Sequence, residues 1–171
     1  KIMVSRAAGV SSAKEGRREK SGLEVLAGDV RRRGLFPAGR LDKDTTGFLL
    51  ITGDGELAHR MLAPKKHVYK RYVAQLDLPV TPEDIEAFAN GVTWGEESYA
   101  PARLWTEGDL SIAFVEVREG RFHQVKRMFE AREKQVLALK RLKIGGLSLD
   151  ETLQEGDCRP ISQEEIQQIF Q

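Results

Sequence analysis

The sequence has a single cysteine, Cys158, among 171 residues. One thiol excludes an internal disulfide framework and a cysteine metal cluster, so a reducing, cytoplasmic setting is the expectation. There is no run near the roughly 20 apolar residues that a membrane helix needs, and the first residues lack the apolar core of a secretion signal. A soluble chain with no membrane partner is expected. Charge of one sign is lacking too: 27 Lys and Arg against 26 Asp and Glu leave a net charge of +1. A uniformly basic surface is thereby excluded, but the distribution is uneven. Basic residues bunch at 17–20, 31–33, 65–67, 70–71, 126–127 and 140–143, while acids gather at 83–97, 107–109 and 150–165. Such segregation allows a basic cleft on a nearly neutral molecule.

With 40 % hydrophobic residues the chain can build one sizeable core, or two lobes sharing one sheet, and a single domain over 1–171 is expected. Residues 1–34 read as irregular, with a short helical candidate at 21–26. The apolar run Phe48-Leu49-Leu50-Ile51, bounded by Gly47 and Gly53-Asp54-Gly55, predicts a buried strand over 48–52 and a helix over 56–61. Near-alternation predicts a strand over 68–76. Thr81-Pro82-Glu83-Asp84 opens a helix, with Thr81 as N-cap and proline in the first turn, and Asn90-Gly91 ends it. Glu107-Gly108-Asp109 joins a hairpin of strands at 102–106 and 110–117. A helix follows at 123–132, with Val125, Met128 and Phe129 on one face, then strands at 136–141 and 144–149. Ser162 and Glu165 form a capping box for a last helix reaching Phe170. Strands in runs with interspersed helices, and no regular βαβ alternation, predict an α+β fold: a largely antiparallel mixed sheet flanked by helices.

The polar cluster ahead of that first strand, Gly39-Arg40-Leu41-Asp42-Lys43-Asp44-Thr45-Thr46-Gly47, is dense enough to be a site. As a calcium loop it fails, because the position that needs a bidentate Glu falls on Gly53. As a metal-gripping pair, Asp42 and Asp44 have suitable spacing, but acids two apart recur by chance in a chain with 26 of them. Asp44, Thr45 and Thr46 suit a turn cap. Asp42 differs: it follows Leu41, an apolar anchor, and Arg40, which can pair with a carboxylate or reach a phosphate. A carboxylate fixed beside cations is ionised at neutral pH, as a nucleophile must be, and this favours one reactive acid over a metal pair.

Residues 39–55 resemble the GRLDxDTxGLLLLTNDG block of bacterial ribosomal RNA pseudouridine synthases, and in particular the RsuA-like branch that acts on small-subunit 16S rRNA. Three later stretches agree in order. Tyr69-Lys70-Arg71-Tyr72-Val73-Ala74 resembles the K-x-Y strand, residues 119–128 the EGRxHQVKRM segment, and Leu142-Lys143-Ile144-Gly145-Gly146-Leu147 the IGGL block.

The resemblance implies the catalytic fold of that family, with a central cleft, and isomerisation of one uridine in ribosomal RNA without metal or redox cofactor. It implies Asp42 as catalytic aspartate, attacking the sugar C1′ or the base, or abstracting a proton as the base leaves. Arg40 matches the arginine that helps extrude the target nucleotide, Tyr72 the tyrosine that packs on the uracil, and Lys126 the basic partner of Asp42. Arg127 is expected at an RNA phosphate or in solvent, and His123, which precedes a helix start and has no Ser or Cys partner, is expected to make a structural hydrogen bond rather than act as a general base. The implied partner is ribosomal RNA, bound by a monomer.

Two departures stand out. The usual NKPxG strand is replaced by Ser5-Arg6-Ala7-Ala8-Gly9, and the small S4-type RNA-binding domain that commonly precedes the catalytic domain is not expected within residues 1–171. The alternative is a non-catalytic RNA-binding or ribosome-assembly module of the same fold.

Overall fold

A computed structural model describes residues 1–7, 34–63 and 68–171 of the chain. The helical candidate at 21–26 and the basic clusters at 17–20, 31–33 and 65–67 lie outside the described residues. The chain opens on strand β1 (Ile2–Arg6), in which Met3, Val4, Ser5 and Arg6 are all buried. For residues 2–6 this corrects the expectation of irregular structure; residues 8–33 of that expectation lie outside the described residues. A short strand covered on both faces has no polar alternation to betray it.

Strand β2 (Phe36–Ala38) leads through the Gly39-to-Asp44 turn into β3 (Thr45–Thr52), which starts three residues before the expected strand. The Asp54 carboxylate caps helix α1 (Gly55–Leu62) by accepting from the Leu57 amide at 3.0 Å. Strand β4 (Lys70–Leu76) and helix α2 (Pro82–Asn90) follow, the latter opened by a full capping box between Thr81 and Asp84. A small hairpin, β5 (Thr93–Trp94) and β6 (Glu97–Ser98), precedes the larger one, β7 (Arg103–Thr106) and β8 (Ile112–Val117). Helix α3 (Gln124–Ala131), long strand β9 (Val136–Ile144), short strands β10 (Leu147–Ser148) and β11 (Cys158–Pro160), and helix α4 (Gln163–Gln168) complete the described chain.

Nine of these strands form one sheet in the order β11-β1-β3-β9-β4-β8-β7, with β10 added to β9 and β2 to β3. The β3–β9 pair is parallel and the other pairs are antiparallel, as an α+β fold with a largely antiparallel mixed sheet requires. On one edge of β3, β9 covers residues 45–47 and β2 covers residues 50–52. Residues 48 and 49 fall between the two partners on that edge. Arg141 of β9 fills the gap: its Nε donates to the Phe48 carbonyl at 2.8 Å.

Phe88 of α2 and Met128 and Phe129 of α3 pack on Ala74, Leu104 and Val115, with the two phenyl rings 4.9 Å apart. A second core joins Met61 of α1 and Ile166 and Ile169 to Met3, Phe48, Leu50 and Ile144. Each such side chain contributes about 1.5–3 kcal/mol on burial. On the other face of β1 and β3, Leu41 from the turn covers Val4, Leu49 and Ile51, and Tyr72 packs against both this cluster and the first core. The turn that carries Asp42 is therefore anchored by its own leucine, beside the tyrosine. No described helix is long and apolar enough to cross a membrane.

Candidate active site

The turn is held from below. The Thr45 amide donates to the Asp42 carbonyl at 2.9 Å, closing it. The buried guanidinium of Arg6, from β1, donates to the Leu41 carbonyl at 3.2 Å and to the carbonyls of Asp42 and Thr45. The arginine in the departing Ser5-Arg6-Ala7 segment thus fixes the backbone of Asp42. The expectation that Asp44, Thr45 and Thr46 cap the turn is not met: the buried Thr45 hydroxyl has no hydrogen-bond partner among the described residues, and the other two side chains reach other elements. The Thr46 hydroxyl reaches the Leu139 carbonyl at 3.5 Å, and Asp44 accepts from Lys126.

Asp42 keeps a quarter of its side chain exposed and meets α3 at its start. His123 Nε2 lies 3.5 Å from Oδ1, and Lys126 Nζ lies 4.0 Å from Oδ2. Lys126 is closer to Asp44, and the hydrogen bond it donates there holds the Asp44 carboxyl below the usual carboxylate range. The expected Asp42–Lys126 pair is present, but the ammonium is shared between two acids. His123 takes the left-handed conformation, φ 49°, at the N-cap of α3, so the imidazole turns toward Asp42 as the helix begins.

A cleft of about 370 Å³ opens beside the turn. Arg40, Leu41 and Asp42 line one side, Glu119, Arg121, Gln124 and Val125 the other, and Lys70, Tyr72, Leu139 and Arg141 contribute from the two central strands. Arg141, 3 % exposed, donates to the Phe48 carbonyl, to the Gly39 carbonyl at 3.2 Å and to the Tyr72 hydroxyl at 3.4 Å. One guanidinium thus joins β3, the turn and β4. Lys70, 4 % exposed, donates to the Met61 carbonyl at 3.1 Å. Burial, and then the charge of Arg141, lower its pKa to about 8.

Sequence reasoning missed these buried cations because Lys70 and Arg141 stand inside basic clusters that read as surface. Strand alternation is the signal that finds them: Lys70 shares a parity with buried Ala74 and Leu76, and Arg141 with buried Leu139.

The lowered Lys70 pKa predicts a pH dependence. Between about pH 8 and 10.5 the unfolded chain holds a proton on this amine that the folded chain has released, so stability rises with pH in that window. Relative to Lys70→Met, the wild type should gain about 3 kcal/mol from pH 8 to 10.5 and hold a constant difference below pH 8. Urea unfolding of both proteins across that range measures it.

Of the remaining candidates, Arg40 is exposed at the cleft and makes no ion pair with a described residue. Arg127 stands outside the cleft. Its guanidinium lies 4.3 Å from the Trp94 ring and 5.0 Å from the Phe122 ring, with Nη1 3.8 Å from Glu97. Asp42, Arg40 and Tyr72 therefore share one cleft, Lys126 sits beside Asp42, and Arg127 is apart. Among the described residues, no three His, Cys, Asp or Glu side chains are grouped to hold a metal ion.

The mixed sheet thus carries a cleft lined by an acid, a tyrosine and cations. Residues 2–131 match the family model described as RNA pseudouridylate synthase, and the chain belongs to that family. It is 42 % identical over 170 residues to a Bacillus subtilis protein named an uncharacterized RNA pseudouridine synthase, covering 96 % of this chain and 71 % of that one. It is 45 % identical over 137 residues to the ribosomal small subunit pseudouridine synthase A of Haemophilus influenzae, covering 79 % of this chain and 59 % of the relative. A crystal structure of a pseudouridylate synthase superposes with a TM-score of 0.82 at 36 % identity, over 98 % of this chain and 72 % of the other.

Proposed function

We propose that residues 1–171 act as a catalytic domain that converts one uridine of 16S ribosomal RNA to pseudouridine, as a monomer in the cytoplasm. The observation that carries this reading is the placement of the Asp42 carboxylate, on a turn pinned by Arg6 and Arg141, in the same cleft as Tyr72. The relatives named for the small ribosomal subunit support the choice of RNA. The reaction breaks N1–C1′, turns the uracil and joins C5 to C1′; C5 gives up its proton and N1 gains one, so the product is an isomer.

A base inside a helix hides its glycosidic bond, so the uridine must swing out before it can react. Tyr72 then supplies the ring against which the uracil packs. Arg40, exposed at the cleft, is the group available to occupy the place that the base leaves. Lys126 and His123 face Asp42 and steady it.

Two substitutions at Tyr72 separate packing from hydrogen bonding. Tyr72→Ala should lower kcat/KM about 5- to 150-fold, the equivalent of roughly 1–3 kcal/mol of base stacking. Tyr72→Phe keeps the ring and loses only the bond from Arg141, so a loss under about tenfold is expected. Steady-state kinetics on an rRNA fragment distinguishes the two. The function itself is tested by mapping pseudouridines in rRNA from a strain lacking the gene. One missing 16S pseudouridine, restored by the wild-type gene, is expected; an unchanged map contradicts the proposal, and a missing large-subunit site corrects the substrate.

A further inference from the structure

We propose that Phe122, backed by His123 and flanked by Arg127 and Trp94, is a stacking site for an unpaired RNA base next to the target uridine. The proposal rests on the reading of the cleft as a uridine-modifying site. Phe122 is 65 % exposed, the most exposed large apolar side chain among the described residues. Its ring is nonetheless held in place. It stacks on the His123 imidazole with centroids 3.7 Å apart and planes 16° from parallel, and that imidazole touches Asp42 at 3.5 Å. Beyond Phe122, the Arg127 guanidinium lies 5.0 Å from the phenyl ring and 4.3 Å from the Trp94 ring, whose indole Nε1 donates to Glu130 at 3.0 Å. Four planar groups therefore lie in series beside the candidate catalytic carboxylate, with Phe122 the exposed member and Trp94 packed on the first core.

The local charges decide what these surfaces suit. Glu97 pairs with Arg121 at 2.8 Å and lies 3.8 Å from Arg127, so both arginines already face a carboxylate. A bare phosphate site would leave its cations uncommitted; here the surface that stays open is the part of the Phe122 ring that His123 and Arg127 leave uncovered. When one nucleotide leaves a stack, each neighbouring base exposes a face that had been covered. An aromatic ring beside the cleft accepts such a face whatever its sequence, because every base has one.

The test uses the protein with Asp42→Asn as background, so that binding is read without turnover, and a uridine-containing 16S rRNA fragment carrying 2-aminopurine 5′ or 3′ of the target. Phe122→Ala should weaken binding about 5- to 150-fold with an unchanged salt slope, since no phosphate contact is lost. One of the two labelled fragments should lose its protein-induced fluorescence quenching. Phe122→Trp should retain both signals, and Phe122→Leu, apolar but not aromatic, should lose them. Binding by Phe122→Leu equal to wild type, quenching that survives Phe122→Ala, or a salt slope reduced by about one contact would overturn the proposal. Phe122-dependent quenching without pseudouridine formation by the wild type would overturn only the isomerase reading.

Discussion

Asp42→Asn should abolish pseudouridine formation, lowering the single-turnover rate by about 10⁴-fold or more, the scale of loss when a nucleophile that acts with its neighbours is removed. The substitution keeps shape and backbone. Arg6 binds the carbonyl of residue 42, not its side chain, and the Thr45 amide closes the turn on the same carbonyl. The amide, however, has no charge with which to attack carbon or accept a proton. The loss holds for each chemical role open to this aspartate. RNA affinity should stay within a few-fold of wild type, because the groups that would grip the nucleotide, Tyr72, Arg40 and Phe122, are untouched. Rapid-quench kinetics for the rate and a filter-binding titration for affinity read the two quantities separately. A comparable fall in both would mean that residue 42 binds rather than reacts.

Gly47→Ala should damage the fold severely while removing no functional group. Gly47 adopts φ +99°, in the region that side chains avoid, and a Cβ there would lie 2.2 Å from the Arg141 carbonyl and 2.8 Å from its amide. These are backbone atoms in the parallel β3–β9 pairing, so neither can swing aside. Relief requires the two strands to part. The strain and lost ladder bonds are expected to cost about 4 kcal/mol or more, at the upper end of single substitutions. Activity should fall with stability, since β9 positions the guanidinium that joins the Gly39 carbonyl to the Tyr72 hydroxyl. Denaturant unfolding monitored by Trp94 and Trp105 fluorescence measures the first effect; a stability within 1 kcal/mol of wild type would contradict the close approach of the two strands.

The same glycine illustrates how far the sequence could be read. Its place just before Phe48-Leu49-Leu50-Ile51 reads as a strand boundary, whereas Thr45, Thr46 and Gly47 are already paired with Leu139, Lys140 and Arg141. That pairing joins residues more than 90 positions apart, and nothing local announces it. Helix starts were legible because caps are local chemistry: Thr81 is the N-cap its sequence implies, and Ser162 with Glu165 forms the expected box. The hairpin joining β7 and β8 was legible for the same reason. Strands β2 and β11 were not, since each is three residues long and contains a proline, Pro37 and Pro160, which argues against a strand.

In the cleft, the blocks around Asp42, Tyr72 and Lys126 pointed to side chains that the fold brings near one another. The residues that hold them, Arg6, Lys70 and Arg141, were hidden because buried cations look like surface charge in a linear sequence. Their burial reflects work on carbonyl groups: Arg6 and Arg141 satisfy backbone oxygens of the turn, and Lys70 that of Met61. An unsatisfied buried carbonyl would cost roughly 1–3 kcal/mol, enough to favour keeping a charged donor beside it.

The most direct measurement follows the hydrogen on C5. In a 16S rRNA fragment labelled with tritium at C5 of uridine, joining C5 to C1′ expels the label to water, and release should reach one tritium per modified RNA with wild-type protein and stay at background with Asp42→Asn. Tritium release that proceeds undiminished without the Asp42 carboxylate would place the chemistry on another residue.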